Sequence, residues 1–202
     1  MRARYLFCVG ILSCTAASAA PSGGQNDFDF EFGTWKTHVS RLAHPLSGSK
    51  EWVDLDGTSV VRPIMDGRAN IVELDVAGPS GHIAGISLRL YNPETRQWSL
   101  NYASFRNGVL TAPTIGAFAG GRGEFFGADT LDGKPVFVRF VITCPASDTC
   151  HFEQAFSGDG GKTWEVNWIA TDKRVKASWR SAPSKRNTRR CSQRFTRVPS
   201  NP

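Results

Sequence analysis

No run of apolar residues here is long enough to cross a bilayer as a helix, which takes about 20; the stretch from Leu6 to Leu12 is far shorter. Sustained i, i+3, i+4, i+7 apolarity with caps is also missing, so helices are not expected to build the core. The sequence contains no G-x-S-x-G elbow, H-E-x-x-H pair, Walker loop or dinucleotide glycine signature, which removes the motif-bearing hydrolases, zinc proteases and nucleotide binders. Histidine is scarce, with four residues, and cysteine nearly so, with five. What remains is 40% hydrophobic and 21% charged, with 20 Gly and 11 Pro, a mixture that excludes a disordered chain, a collagen-like repeat and a coiled coil. Thirteen Phe and six Trp, spread along 202 residues, can furnish the core of one domain.

The first 19 residues have the three segments of a signal peptide. Met1-Arg-Ala-Arg4 is positive, Leu6 to Leu12 is apolar, and Ala17-Ser18-Ala19 offers an A-x-A cleavage site before Ala20. The expectation is an exported protein, periplasmic or secreted, with no transmembrane segment. Cys8 and Cys14 leave with the leader. In an oxidising compartment Cys144 and Cys150 are expected to pair, because Pro145-Ala-Ser-Asp-Thr149 between them reads as a turn joining two strands. Cys191 is then odd: free, paired between chains, or a competitor for the other two. A zinc site needs four ligands and only His151 lies near these cysteines, so no metal is expected.

Charge is segregated. Of 24 Lys and Arg, two lie in the leader and ten lie at or after Lys173, whereas the last of the 18 acids is Asp172. Residues 20–172 therefore carry 12 cations against 18 anions, and the basic balance belongs to the C-terminal segment. Such a block reads either as a solvated extension or as a clamp for an anionic envelope surface. Export argues against nucleic acid. The division expected is a leader over 1–19, a flexible lead over 20–26, a domain over 27–175 and a basic tail over 176–202.

Within the domain the punctuation is dense. Strands are expected at 35–42, 49–55, 58–63, 69–76, 83–91, 97–105, 108–113, 123–128, 134–143, 150–157 and 164–172. Asp56-Gly57, Asp66-Gly67, Asn107-Gly108 and Asp132-Gly133 serve as turns. Asp27 to Phe32 is either a short helical turn or a strand start, and Gly116–Gly123 reads as a mobile loop. About ten short, evenly spaced strands joined by hairpins imply an all-β, antiparallel up-and-down barrel, which closes to remove exposed edges. A sandwich is the alternative. Alternation gives most strands one apolar face: Trp98, Leu100 and Tyr102 share a face, as do Val72, Leu74 and Val76, and Val136, Val138, Phe140 and Ile142. The interior they line is either a packed core or a small apolar cavity.

Two local motifs are structural. Gly33-Thr34-Trp35 opens the first strand as a G-x-W. Ser157-Gly-Asp-Gly-Gly-Lys-Thr-Trp164 fits the Asp-box pattern S-x-D-x-G-x-T-W, in which Asp159 bonds its own turn and Trp164 packs beneath. One copy without a repeat excludes a propeller. The order Phe28 to Trp35, Gly67 to Glu73, Gly85 to Pro93 with Trp98, Asp132-Gly133, Ser157 to Trp164 and Trp168 to Arg174 resembles the DUF1579 group of lipocalin-like (calycin) proteins over roughly residues 27–175. That resemblance implies a ten-stranded barrel and no established activity. The related nitrobindin barrels open on G-x-W-x-G-x-G and carry a late histidine. Gly33-Thr-Trp-Lys-Thr-His-Val39 lacks the later glycines, and Glu165 to Arg174 has no histidine, so neither haem nor another cofactor is expected.

Glu73, Arg89 and Arg139 sit in otherwise apolar strands. Pointing inward they would pair and anchor a polar ligand head; pointing outward they are ordinary surface groups. The reading is a barrel that binds a small, partly apolar molecule, with Glu73, Tyr102, Arg139, Phe140 and Glu153 as the candidate ligand contacts. Two alternatives stand beside it. One is an isomerase or hydrolase using Glu73 or Glu153 as base, which a raised pKa on an interior carboxylate would favour. The other is a filled barrel working through its tail, which a cavity under about 100 Å³ would favour.

Overall fold

The computed structural model describes residues 24–175; the leader, Cys191 and the 176–202 segment lie outside the described residues. Ten antiparallel strands follow one another in chain order: β1 (Gly33–Leu42), β2 (Trp52–Ile64), β3 (Ala69–Gly78), β4 (Gly81–Asn92), β5 (Gln97–Ser104), β6 (Thr114–Ala119), β7 (Arg122–Leu131), β8 (Lys134–Ala146), β9 (Thr149–Ser157) and β10 (Glu165–Arg174). Each strand pairs with its neighbours in sequence, and β1 also pairs with β10, so the sheet closes into an up-and-down barrel. Trp35 marks the closure, facing Ser59 on one side and Arg174 on the other. Closure leaves no edge to template association.

Three segments differ from the sequence expectation, two of them because a glycine serves packing and not only chain reversal. Asp56-Gly57 is no turn: β2 runs through it. A Cβ on Gly57 would lie 2.0 Å from the Asp75 carbonyl oxygen, so the glycine lets β3 approach closely. The strand expected at 108–113 is instead within a loop over 105–113, tied to β5 by the Thr111 amide on the Tyr102 carbonyl at 2.7 Å. The sixth strand lies further on and overlaps the run expected to be a mobile loop. There Gly116 packs against the Glu124 carbonyl, and Gly120 and Gly121 turn the chain at φ +58° and +80° into β7.

The β2–β3, β4–β5, β6–β7 and β8–β9 hairpins gather at one end, the floor, and the other five connections at the mouth. The floor is closed by residues 24–32. Gly24–Asn26 and Asp29–Glu31 are single 3-10 turns, and between them Phe28 is buried edge-on to Trp98 (4.9 Å) and Phe118 (5.0 Å). Indole donors fix the segment: Trp98 Nε1 to the Gly24 carbonyl and Trp35 Nε1 to the Glu31 carbonyl, both 2.7 Å. Arg174 lies 4.0 Å over the Trp35 ring and donates to the Phe32 carbonyl at 2.6 Å. Cys144 and Cys150 form a disulfide between β8 and β9 where their register shifts.

Candidate functional site

Inside the barrel is a cavity of about 430 Å³. It runs from Glu31 and Trp35 above the floor to Ser104, Thr111 and Asp129 beneath the mouth. Its middle is apolar, walled by Val39, Val61, Val72, Leu74, Ile83, Leu100, Phe140, Phe152, Trp168 and Ala170. These are inward positions of alternating strands, so the pleat that builds the core also shapes the void. At the mouth the β5–β6 loop exposes Phe105, Val109 and Leu110, an apolar lip to the opening.

A compact polar group sits low in the cavity. Thr37 of β1 donates to Asp172 Oδ1 at 2.5 Å. Ser59 of β2 lies 2.7 Å from the Thr37 hydroxyl and 3.2 Å from the same carboxylate oxygen. Both hydroxyls are buried, and both address Oδ1. Burial pushes the Asp172 carboxyl above its ordinary value, the Thr37 hydrogen bond pulls it back, and the nearby Glu31 charge pushes it further up. Glu31 is paired with Arg89 of β4, and both side chains are nearly enclosed (11% and 8% exposed). The Arg89 guanidinium also lies 4.2 Å over the Phe28 ring. Higher up, Tyr102 of β5 lines the wall, and its burial raises the phenol pKa.

Of the candidate contacts, Tyr102 and Phe140 face the cavity. Glu73, Arg139 and Glu153 do not, because each is one residue out of phase with inward neighbours: Val72 and Leu74, Phe140, and Phe152 and Gln154. Glu73 pairs with Arg62 on the outer wall. Arg139 and Glu153 pair across β8 and β9 at 3.5 Å, and Arg139 lies 5.1 Å over the Trp164 ring. Neither Glu73 nor Glu153 can act as base on a molecule held inside. Gly33 takes φ +138° where the lead enters β1, and Asp159 organises the β9–β10 turn. Asp172 and Glu31 have no separate sequence signal: Asp172 is one acid among Thr171, Lys173 and Arg174, and Glu31 precedes the first strand. Among the described residues no group of three or more His, Cys, Asp or Glu could hold a metal, and no helix is long and apolar enough to cross a membrane.

No protein-family model and no curated protein matches this sequence. Solved structures do. An S-type phycobiliprotein lyase from Guillardia theta superposes with a TM-score of 0.53 at 11% identity, covering 76% of this chain and 93% of that one. A redesigned β-barrel bound to DFHBI gives 0.41 at 11% identity, covering 72% of this chain and 99% of that one. A protein of unknown function of the DUF3598 family from Nostoc punctiforme gives 0.22 at 8% identity, covering 75% of this chain and 99% of that one. The first likeness is one of fold. Fold and closure together define a ten-stranded antiparallel up-and-down barrel.

Proposed function

We propose that this protein is an exported lipocalin-like barrel that binds one small, partly apolar molecule non-covalently in its interior. The cavity carries the reading. Several hundred Å³ of apolar wall with a few converging polar groups is the usual make-up of a small-molecule site, and 430 Å³ is too large for a filled core. Aromatic and branched side chains supply contact area, Thr37, Ser59 and Asp172 orient the polar end, and Tyr102 lines the wall above them. Export is supported by the leader pattern and by the Cys144–Cys150 disulfide, which suits an oxidising compartment. Kinship with the DUF1579 group rests on the order of motifs from Phe28 to Arg174. The segment 176–202 is proposed to attach the barrel to an anionic envelope surface through its cations.

The test is native mass spectrometry of the protein from its own source, followed by denaturing extraction, beside titration with the neutral dye Nile red. A bound mass in the extract and a saturable one-to-one blue shift are expected. Leu74→Trp, which fills the wall, should abolish the shift while far-UV circular dichroism is unchanged. A bare polypeptide and no dye binding would overturn the reading. Catalysis is the second reading, favoured by the raised Asp172 carboxyl. It predicts an extracted molecule that changes mass on incubation with the protein; a molecule recovered unaltered supports binding alone.

A further inference from the structure

The charges of the cavity wall are unequal. Near the enclosed floor the carboxylates of Glu31 and Asp172 face one guanidinium, Arg89, and among the lining residues there is no Lys and no His. Arg89 pairs with Glu31 through Nη1, lies over the Phe28 ring, and its Nε is buried without a hydrogen-bond partner. Asp172 has no cationic partner within ion-pair distance among the described residues, only the Thr37 and Ser59 hydroxyls. Both go to Oδ1, which leaves Oδ2 for a further donor. Two carboxylates sharing one guanidinium in a largely apolar space are costly, and the cost is relieved by a cation that can reach Asp172.

We propose that the cavity selects a lipophilic amine, its protonated nitrogen at Asp172 and its hydrocarbon body along the Leu74, Leu100, Phe140 and Phe152 wall. The inference rests on the binding function proposed above and adds the class of ligand. An ammonium brings three donors and no acceptor. That matches the Asp172 carboxylate and the Thr37 and Ser59 hydroxyl oxygens, which are the acceptors grouped there. A fatty acid placed the same way would bring a third carboxylate beside Glu31 and Asp172, against the single guanidinium of Arg89, which already pairs with Glu31. A neutral alcohol would fill the void but leave the charge uncompensated.

The groups bearing on Asp172 come from four elements: Glu31 of the lead, Thr37 of β1, Ser59 of β2 and Arg89 of β4. Protonating Asp172 removes the charge the amine seeks. Amine affinity therefore falls as pH drops through the raised Asp172 pKa, beginning above the ordinary carboxylate value of 3.8.

The experiment titrates the full chain with decylamine, decanol and decanoate, each displacing Nile red, at neutral and acidic pH. Decylamine is expected to bind tightest and to be the only one of the three weakened by acid over that range. Asp172→Asn should cost decylamine about tenfold or more, the scale of one charge-assisted hydrogen bond, and change decanol by less than about twofold. Decanol or decanoate binding as tightly as decylamine, or unchanged amine affinity in folded Asp172→Asn, overturns amine selectivity and leaves the binding function standing. Failure of Nile red and all three amphiphiles to bind overturns both. The wild-type comparison and its pH profile need no variant, so misfolding of Asp172→Asn does not shelter the proposal.

Discussion

Asp159 accepts four hydrogen bonds inside one turn: from the Ser157 hydroxyl, the Lys162 and Thr163 amides, and the Thr163 hydroxyl at 2.6 Å. These hold its carboxyl down at about 2, led by the Thr163 hydroxyl. A carboxylate pKa lower in the folded than in the unfolded chain contributes stability that is fully present above the unfolded value and fades as pH falls toward the folded one. Asp159→Ala should therefore lower the melting temperature at pH 7, and the gap to wild type should narrow between pH 3.8 and about 2. Thermal melts of both proteins across that range check it. The absence of a gap at pH 7 would mean that the turn is held by Gly160 and Gly161, both at positive φ, and not by the carboxylate. This turn is readable from spacing alone because all its partners lie within eight residues. Asp172 is not: its partners Thr37 and Ser59 are 135 and 113 residues away, and only barrel closure brings them together.

At the level of elements, period-2 alternation locates nearly every strand because one face of each is buried. Two of the misplacements fall where a glycine has a long-range neighbour. Gly57 and Gly116 look like turn residues locally, and only the apposed β3 and β7 backbones show why no side chain fits. Gly57→Ala tests this. In a turn the change would be mild, but here the added methyl meets the Asp75 carbonyl and Val76 Cα, and strands must separate. We expect a loss of about 1–3 kcal/mol, the scale of overpacking, measured by urea unfolding. A neutral or stabilising result would show that β2 and β3 move apart without cost. The same logic explains why Glu73, Arg139 and Glu153 read as contacts in the sequence. Charges in apolar strands suggest an inward role, but phase within the strand decides the face, and a shift of one residue reverses it. On the outer wall these charges find each other or Arg62 instead.

For the whole molecule, the ten C-terminal cations divide by what they do. Lys173 and Arg174 belong to the barrel: Lys173 donates to the Thr149 hydroxyl at 2.8 Å, and Arg174 ties the end of β10 to the floor. The other eight fall in 176–202, beyond the last acid, so their charge is uncancelled by neighbours in sequence. If that segment attaches the barrel to an anionic surface, each cation near the surface contributes about 1 kcal/mol and the attraction decays within a Debye length. The chain should then sediment with vesicles rich in anionic lipid at low salt and be released as salt is raised. Removing 176–202 should abolish attachment while leaving the melting temperature and Nile red affinity unchanged, because the floor and the cavity wall are built from residues 24–175. Attachment that survives the deletion would place the binding surface on the barrel itself. The apolar lip of Phe105, Val109 and Leu110 at the mouth would then be the surface to substitute next, and resistance to salt would distinguish it from the cationic segment.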